Sequence, residues 1–94
     1  MKYVSSYDGA MPDGLLDIDF FGRWTALGFV MTDTPATIIL KDGDIEVARG
    51  RAETPHRDGG YSFRFEIQRC SQDRVQGFIS ETGAEIPRRR DYDD

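Results

Sequence analysis

From Tyr61 to Ile67 apolar and polar residues alternate without a break. Tyr61, Phe63, Phe65 and Ile67 fall on one side of an extended backbone, and Ser62, Arg64 and Glu66 on the other. That period of two marks a strand with one dry face and one wet face. Asp58-Gly59-Gly60 ahead of it supplies the backbone freedom of a tight turn. The same alternation appears in Leu15 to Phe20, where Leu16, Ile18 and Phe20 interleave with Asp17 and Asp19. Trp24 to Met31 is nearly all apolar, which predicts a central strand covered on both sides or one crossing between sheets. Gly28 in its middle predicts a bulge or a close approach of backbone.

Ala36 to Lys41 is a β-branched run that ends at Asp42-Gly43, a strong hairpin signal. The return strand, Ile45 to Glu53, changes face partway. Ile45 and Val47 share one side, then Ala48, Gly50 and Ala52 take the other, and a bulge near Val47 accounts for the shift. Setting this strand antiparallel beside Tyr61–Ile67 puts Ala48, Gly50 and Ala52 on the face of Phe63, Phe65 and Ile67, small against large. Arg49, Arg51 and Arg64 then share the opposite face with Glu53 and Glu66. Each buried ring contributes about 1.5–3 kcal/mol.

Gln68 to Asp73 reads as a loop or one helical turn, Arg74 to Ser80 as a weaker strand, Tyr3-Val4 as a short edge strand and Glu85-Ile86 as a last short strand. The expected class is all-β: a small antiparallel β-sandwich or barrel of six to seven short strands with little or no helix. Residues 1–87 form the domain in this reading, and residues 88–94 a charged, flexible tail.

Composition narrows the function classes. Ninety-four residues with 38% apolar content suffice for one core and one domain. No run approaches the roughly 20 apolar residues that cross a bilayer, and Met1–Gly14 lacks the apolar centre of a signal peptide. The expectation is a cytoplasmic protein, or part of a larger assembly, with no membrane partner. A net charge of −5 argues against nucleic acid, whose phosphates reward Lys and Arg. Arg88-Arg89-Arg90 does not change this, because Asp91, Asp93 and Asp94 follow it. The charge is uneven: residues 1–48 carry three positive and eight negative groups, residues 49–94 nine of each. Arg outnumbers Lys ten to two, which suits forked contacts to carboxylates. Arg49, Arg51, Arg64 and Glu66 are therefore the candidate face for another protein.

Candidate chemistry is sparse, and no cofactor motif is present. Cys70 is the single cysteine, so it reads as a half-buried structural thiol. The single histidine, His56, cannot build a histidine-rich metal site. Asp17 and Asp19 share a face about 7 Å apart. They suit either an acid–base pair in a small hydrolase or a wet strand face that discourages edge pairing. Asp42-Gly43-Asp44 opens like a calcium loop, but the hairpin claims Glu53, where the closing carboxylate would stand. His56-Arg57-Asp58 sets three polar groups side by side with no nucleophile adjacent. Trp24 is expected to plug the core. The competing reading exposes it and binds carbohydrate with Trp24, Tyr61, Arg57 and Asp58.

Gly22-Arg23-Trp24, Ala36 to Gly43, Ala52, Arg57-Asp58 and Gly60-Tyr61-Ser62-Phe63 together resemble small β-sandwich modules attached to bacterial glycosyltransferases. Those modules carry a Gly-Trp element, a strand ending in Asp-Gly, an Ala before Arg-x-Asp, and a Gly-x-x-Phe strand. Here Arg57 and Asp58 are adjacent, and Arg23 separates Gly22 from Trp24. The resemblance implies an accessory role near carbohydrate. The expectation is a non-catalytic module that binds another protein through a sheet face or edge, as an inhibitor, adaptor or phage-type decoration subunit. Carbohydrate binding is the alternative, and edge strands offer a route to homo-oligomers.

Overall fold

The computed structural model describes residues 15–22, 24–57 and 59–89. Its strands are β1 (Leu16–Phe21), β2 (Thr25–Val30), β3 (Ala36–Asp42), β4 (Ile45–Ala52), β5 (Thr54–Pro55), β6 (Tyr61–Glu66), β7 (Val75–Ile79) and β8 (Glu85–Ile86). A single 3-10 turn, Gln72–Arg74, precedes β7. The strands form two four-stranded sheets, in order β1-β2-β6-β5 and β4-β3-β7-β8. The all-β expectation holds, with eight strands among the described residues rather than six to seven, one in each sheet being only two residues long. Tyr3-Val4 lies outside the described residues.

Alternation sets the layers. Leu16, Ile18, Ala26, Val30, Phe63 and Phe65 point inward from the first sheet, and Ala36, Ile38, Leu40, Ala48, Ala52 and Val75 from the second. Phe63 and Phe65 are 6% and 7% exposed, and their rings stack with centroids 4.6 Å apart. Two rings two residues apart on one face thus form the ridge that the alternation predicts.

Where that ridge packs differs from the expected register. β6 pairs in its sheet with β2 and β5, while β4 pairs with β3. β4 and β6 are not ladder neighbours; they meet across the sandwich, where a Cβ at Gly50 would run into the Phe65 ring. The match of small to large is real, but it joins two sheets rather than two neighbouring strands. This moves Arg49 and Arg51 to the outside of the second sheet and Arg64 and Glu66 to the outside of the first.

The predicted bulge is present. Leu40 pairs with Ala48 and Lys41 with Glu46, leaving Val47 as the extra residue. Its carbonyl accepts the Gln68 amide at 3.0 Å, which ties the two sheets together at that corner. The β3–β4 hairpin turns through Gly43-Asp44, with Gly43 at φ 64°, a left-handed backbone that favours glycine. Gly28 also meets its expectation, since a Cβ there would collide with the Asp17 carbonyl.

The domain does not stop at Pro87. The Leu16 amide donates to the Pro87 carbonyl at 2.8 Å, and the Arg89 amide to the Leu16 carbonyl at 2.7 Å, forming a parallel bridge at the edge of β1. The Arg88 guanidinium lies over the Phe20 ring and donates to the carbonyls of Gln72 and Val75 at 2.8 and 3.0 Å. Residues 88 and 89, expected in a flexible tail, therefore stitch the two sheets along one side; residues 90–94 lie outside the described residues.

Candidate interaction surfaces

The outer face of the second sheet neutralises its own charges. Arg49 grips Glu46 through two hydrogen bonds of 3.1 and 2.8 Å, and this hydrogen bonding holds the Glu46 carboxyl below its usual range. Arg51 reaches Glu53 at 3.3 Å and Glu81 at 3.5 Å. Glu81 also accepts the Thr37 amide at 3.2 Å. Its carboxyl is lowered first by its own backbone amide and then by that of Thr37. Lys41 stands 5.2 Å over the Phe78 ring, and Gln76 donates to Glu85 at 2.8 Å. Exposed pairs of this kind keep a sheet soluble and contribute little to stability.

The outer face of the first sheet is organised differently. Its registers give three rows across β1, β2 and β6: Phe21–Thr25–Glu66, Asp19–Leu27–Arg64 and Asp17–Phe29–Ser62. Leu27 and Phe29 are only half-buried, so β2 is central in its sheet but covered on one side rather than both. Phe29 stacks on His56 with centroids 4.3 Å apart. Asp17 and Asp19 share this face as expected, but Asp17 is bound to Arg89 at 2.9 Å. Asp19, Arg64 and Glu66 are exposed and enter no ion pair among the described residues. The four-residue face expected from sequence is thus divided between opposite sides of the sandwich.

The sugar-binding set is divided as well. Trp24 sits in the β1–β2 turn, and Tyr61 begins β6 at the other end of the same paired strands. Five residue steps separate those ends, roughly 17 Å. Tyr61 packs against the core and is half-buried, Arg57 is exposed in the loop beyond it, and Asp58 lies outside the described residues. Trp24 itself is 55% exposed. It does not plug the core; Phe63 and Phe65 already fill the space opposite the small residues of β4.

Two apolar residues join Trp24 at its end of the sandwich. Phe21 is 63% exposed and Ile45 is 65% exposed. The β1–β2 and β3–β4 turns are held together there by the 3-10 segment. Gln72 donates to the Gly22 carbonyl at 2.9 Å, and Arg74 pairs with Asp42 at 3.0 Å. The Ile67 amide donates to the Trp24 carbonyl at 2.9 Å, one residue before Gln68 reaches Val47. Phe21 was legible from the phase of β1, since Leu16, Ile18 and Phe20 point inward and the next residue must point out. Ile45 was hidden by the bulge.

Beside this end an open groove of about 370 Å³ runs between Glu46–Arg49 and Glu66–Gln68, with Val47, Ala48 and Ile67 as its apolar lining. Cys70 is half-buried against the core, and burial, then the nearby Asp42 carboxylate, pushes its thiol above the usual range. That is the signature of an inert thiol rather than an activated one. Among the described residues no group of three or more His, Cys, Asp or Glu is placed to hold a metal ion. No described helix is long and apolar enough to cross a membrane. No protein-family model matches the chain, and no match to it is found among curated proteins or solved structures.

Proposed function

We propose that this domain is a non-catalytic interaction module that docks another protein on the end of the sandwich carrying Phe21, Trp24 and Ile45. One observation carries the reading: among the described residues, the three large hydrophobic side chains that stand more than half exposed all lie in or beside the two turns of that end. Burying a large apolar side chain is worth about 1.5–3 kcal/mol, and aromatic anchors of this kind dominate the energetics of protein interfaces. The paired charges of the second sheet form no comparable anchor. Asp17, the more sheltered member of the Asp17/Asp19 pair, already has a partner in Arg89, which favours a structural role for it over an acid–base one.

The test is capture of partners from the native host by the whole chain. Trp24→Ala and Ile45→Ser should each abolish capture while leaving the unfolding transition cooperative. Reversal of Arg49 and Arg51 to Glu should leave capture intact. The opposite pattern would return the interface to the Arg-bearing sheet face. The exposed Trp24 ring also keeps carbohydrate stacking as a second reading. Titrating the chain with glycans while following Trp24 fluorescence separates the two, because a saturable shift belongs to sugar binding alone.

A further inference from the structure

We infer that the outer face of the first sheet is a self-complementary interface for a second copy of this chain. Unpaired charge stands there around an apolar centre. Asp19 and Arg64 lie in one row on either side of Leu27, two strand spacings apart, roughly 9–10 Å. No ion pair forms between them within the chain. On the second sheet the charged neighbours are close enough to satisfy one another, and they do.

A twofold axis lying parallel to the strands, between two copies stacked face to face, exchanges left for right and keeps each row at its own height. Asp19 of each copy then stands opposite Arg64 of the other, twice over. Leu27 meets Leu27, Phe29 meets Phe29, and Ser62 faces the Asp17 that Arg89 has already neutralised. Residues that pair with themselves across an axis are what an isologous interface requires, and aligned packing of two sheets is an ordinary geometry for such a layer. The face is also less hostile to a second copy than the rest of the molecule. Asp17, Arg89, Asp19, Arg64 and Glu66 together leave one net negative charge, against −5 for the whole chain. Arg64 and Asp19 are the rim of this contact and Leu27 and Phe29 its centre. The same axis presents both Trp24 ends on one side of the dimer.

The patch covers three strands, so the interface belongs at the small end of the range for specific complexes and assembles with concentration. Sedimentation of the whole chain across a wide concentration range should show the mass rising from 10.7 kDa to twice that value. Asp19→Arg and Arg64→Asp should each weaken association by about tenfold or more, and the double reversal should recover most of that loss, because it rebuilds both pairs with their signs exchanged. Leu27→Glu should leave a folded monomer. A wild-type chain that stays at the monomer mass at its highest soluble concentration overturns the inference. So does a double reversal that associates no better than the single variants, or a Leu27→Glu chain that dimerises like the wild type. Circular dichroism of each variant separates lost association from lost fold.

Discussion

Asp17 and Arg89 stand 72 residues apart in the chain and are joined at 2.9 Å across the edge of β1. Each side chain is 27% exposed, so the pair is sheltered without being sealed from water. It clamps the segment that carries Arg88 into the gap between the sheets. A charge-assisted hydrogen bond in such a position is worth about 1 kcal/mol.

Asp17→Asn should therefore lower stability by about 1 kcal/mol. The expected signature in urea is a lower midpoint with an unchanged slope, because the surface exposed on unfolding stays the same. Arg88→Ala should cost more than Asp17→Asn, since it leaves the Gln72 and Val75 carbonyls without that donor and uncovers the Phe20 ring. Equal midpoints for Arg88→Ala and the wild type would return this segment to the status of a tail.

The contact of Gly50 with Phe65 yields a second prediction. The ring occupies the place of a side chain at position 50, so Gly50→Val should destabilise by about 1–3 kcal/mol through overpacking. Phe65→Leu trims the ring and should make the same substitution at position 50 less costly. A double-mutant cycle on unfolding free energies measures this, and additive effects would mean that the two residues do not share the space.

This contact also shows how far the sequence can be read. Alternation in β1 and β6 identifies strands because the pleat imposes its period on every residue. The change of phase at Val47 reveals the bulge for the same reason. Small residues facing large rings reveal that β4 and β6 meet, yet complementarity of volume is the same for strands side by side and for strands in opposite sheets. That ambiguity is why Arg49 and Arg51 were expected beside Arg64 and lie on the far side of the molecule. Arg88 and Arg89 looked like part of a charged tail because nothing local distinguishes a solvated arginine from one whose partners are Asp17, Gln72 and Val75. The exposed end was at best half legible: extending the phase of β1 by one residue would have put Phe21 outward, while a lone Trp carries no phase of its own.

Cys70 supplies a pH-dependent prediction. Its thiol titrates above the usual range in the folded chain, chiefly through burial and then through Asp42. A raised folded value means that the native state holds its proton more tightly than the unfolded state. The corresponding stability is complete below the unfolded value of about 8.5 and is lost as pH rises through the folded one. The difference in unfolding free energy between wild type and Cys70→Ser should be constant at neutral pH and shrink in alkaline solution. Alkylation by iodoacetamide should likewise begin at a higher pH in the folded chain than in urea.

Trp24 separates a surface anchor from a core residue by measurement alone. At 55% exposure its emission should lie at the red, water-exposed end of the tryptophan range, and acrylamide should quench it almost as well in the native chain as in urea. Trp24→Ala should cost less than the roughly 3–5 kcal/mol that removal of a core tryptophan costs, because Phe63 and Phe65 fill the interior without it. A blue-shifted, unquenchable native emission, or a loss of stability of core size, would place the indole between the sheets. It would also remove the apolar end from consideration as a docking surface.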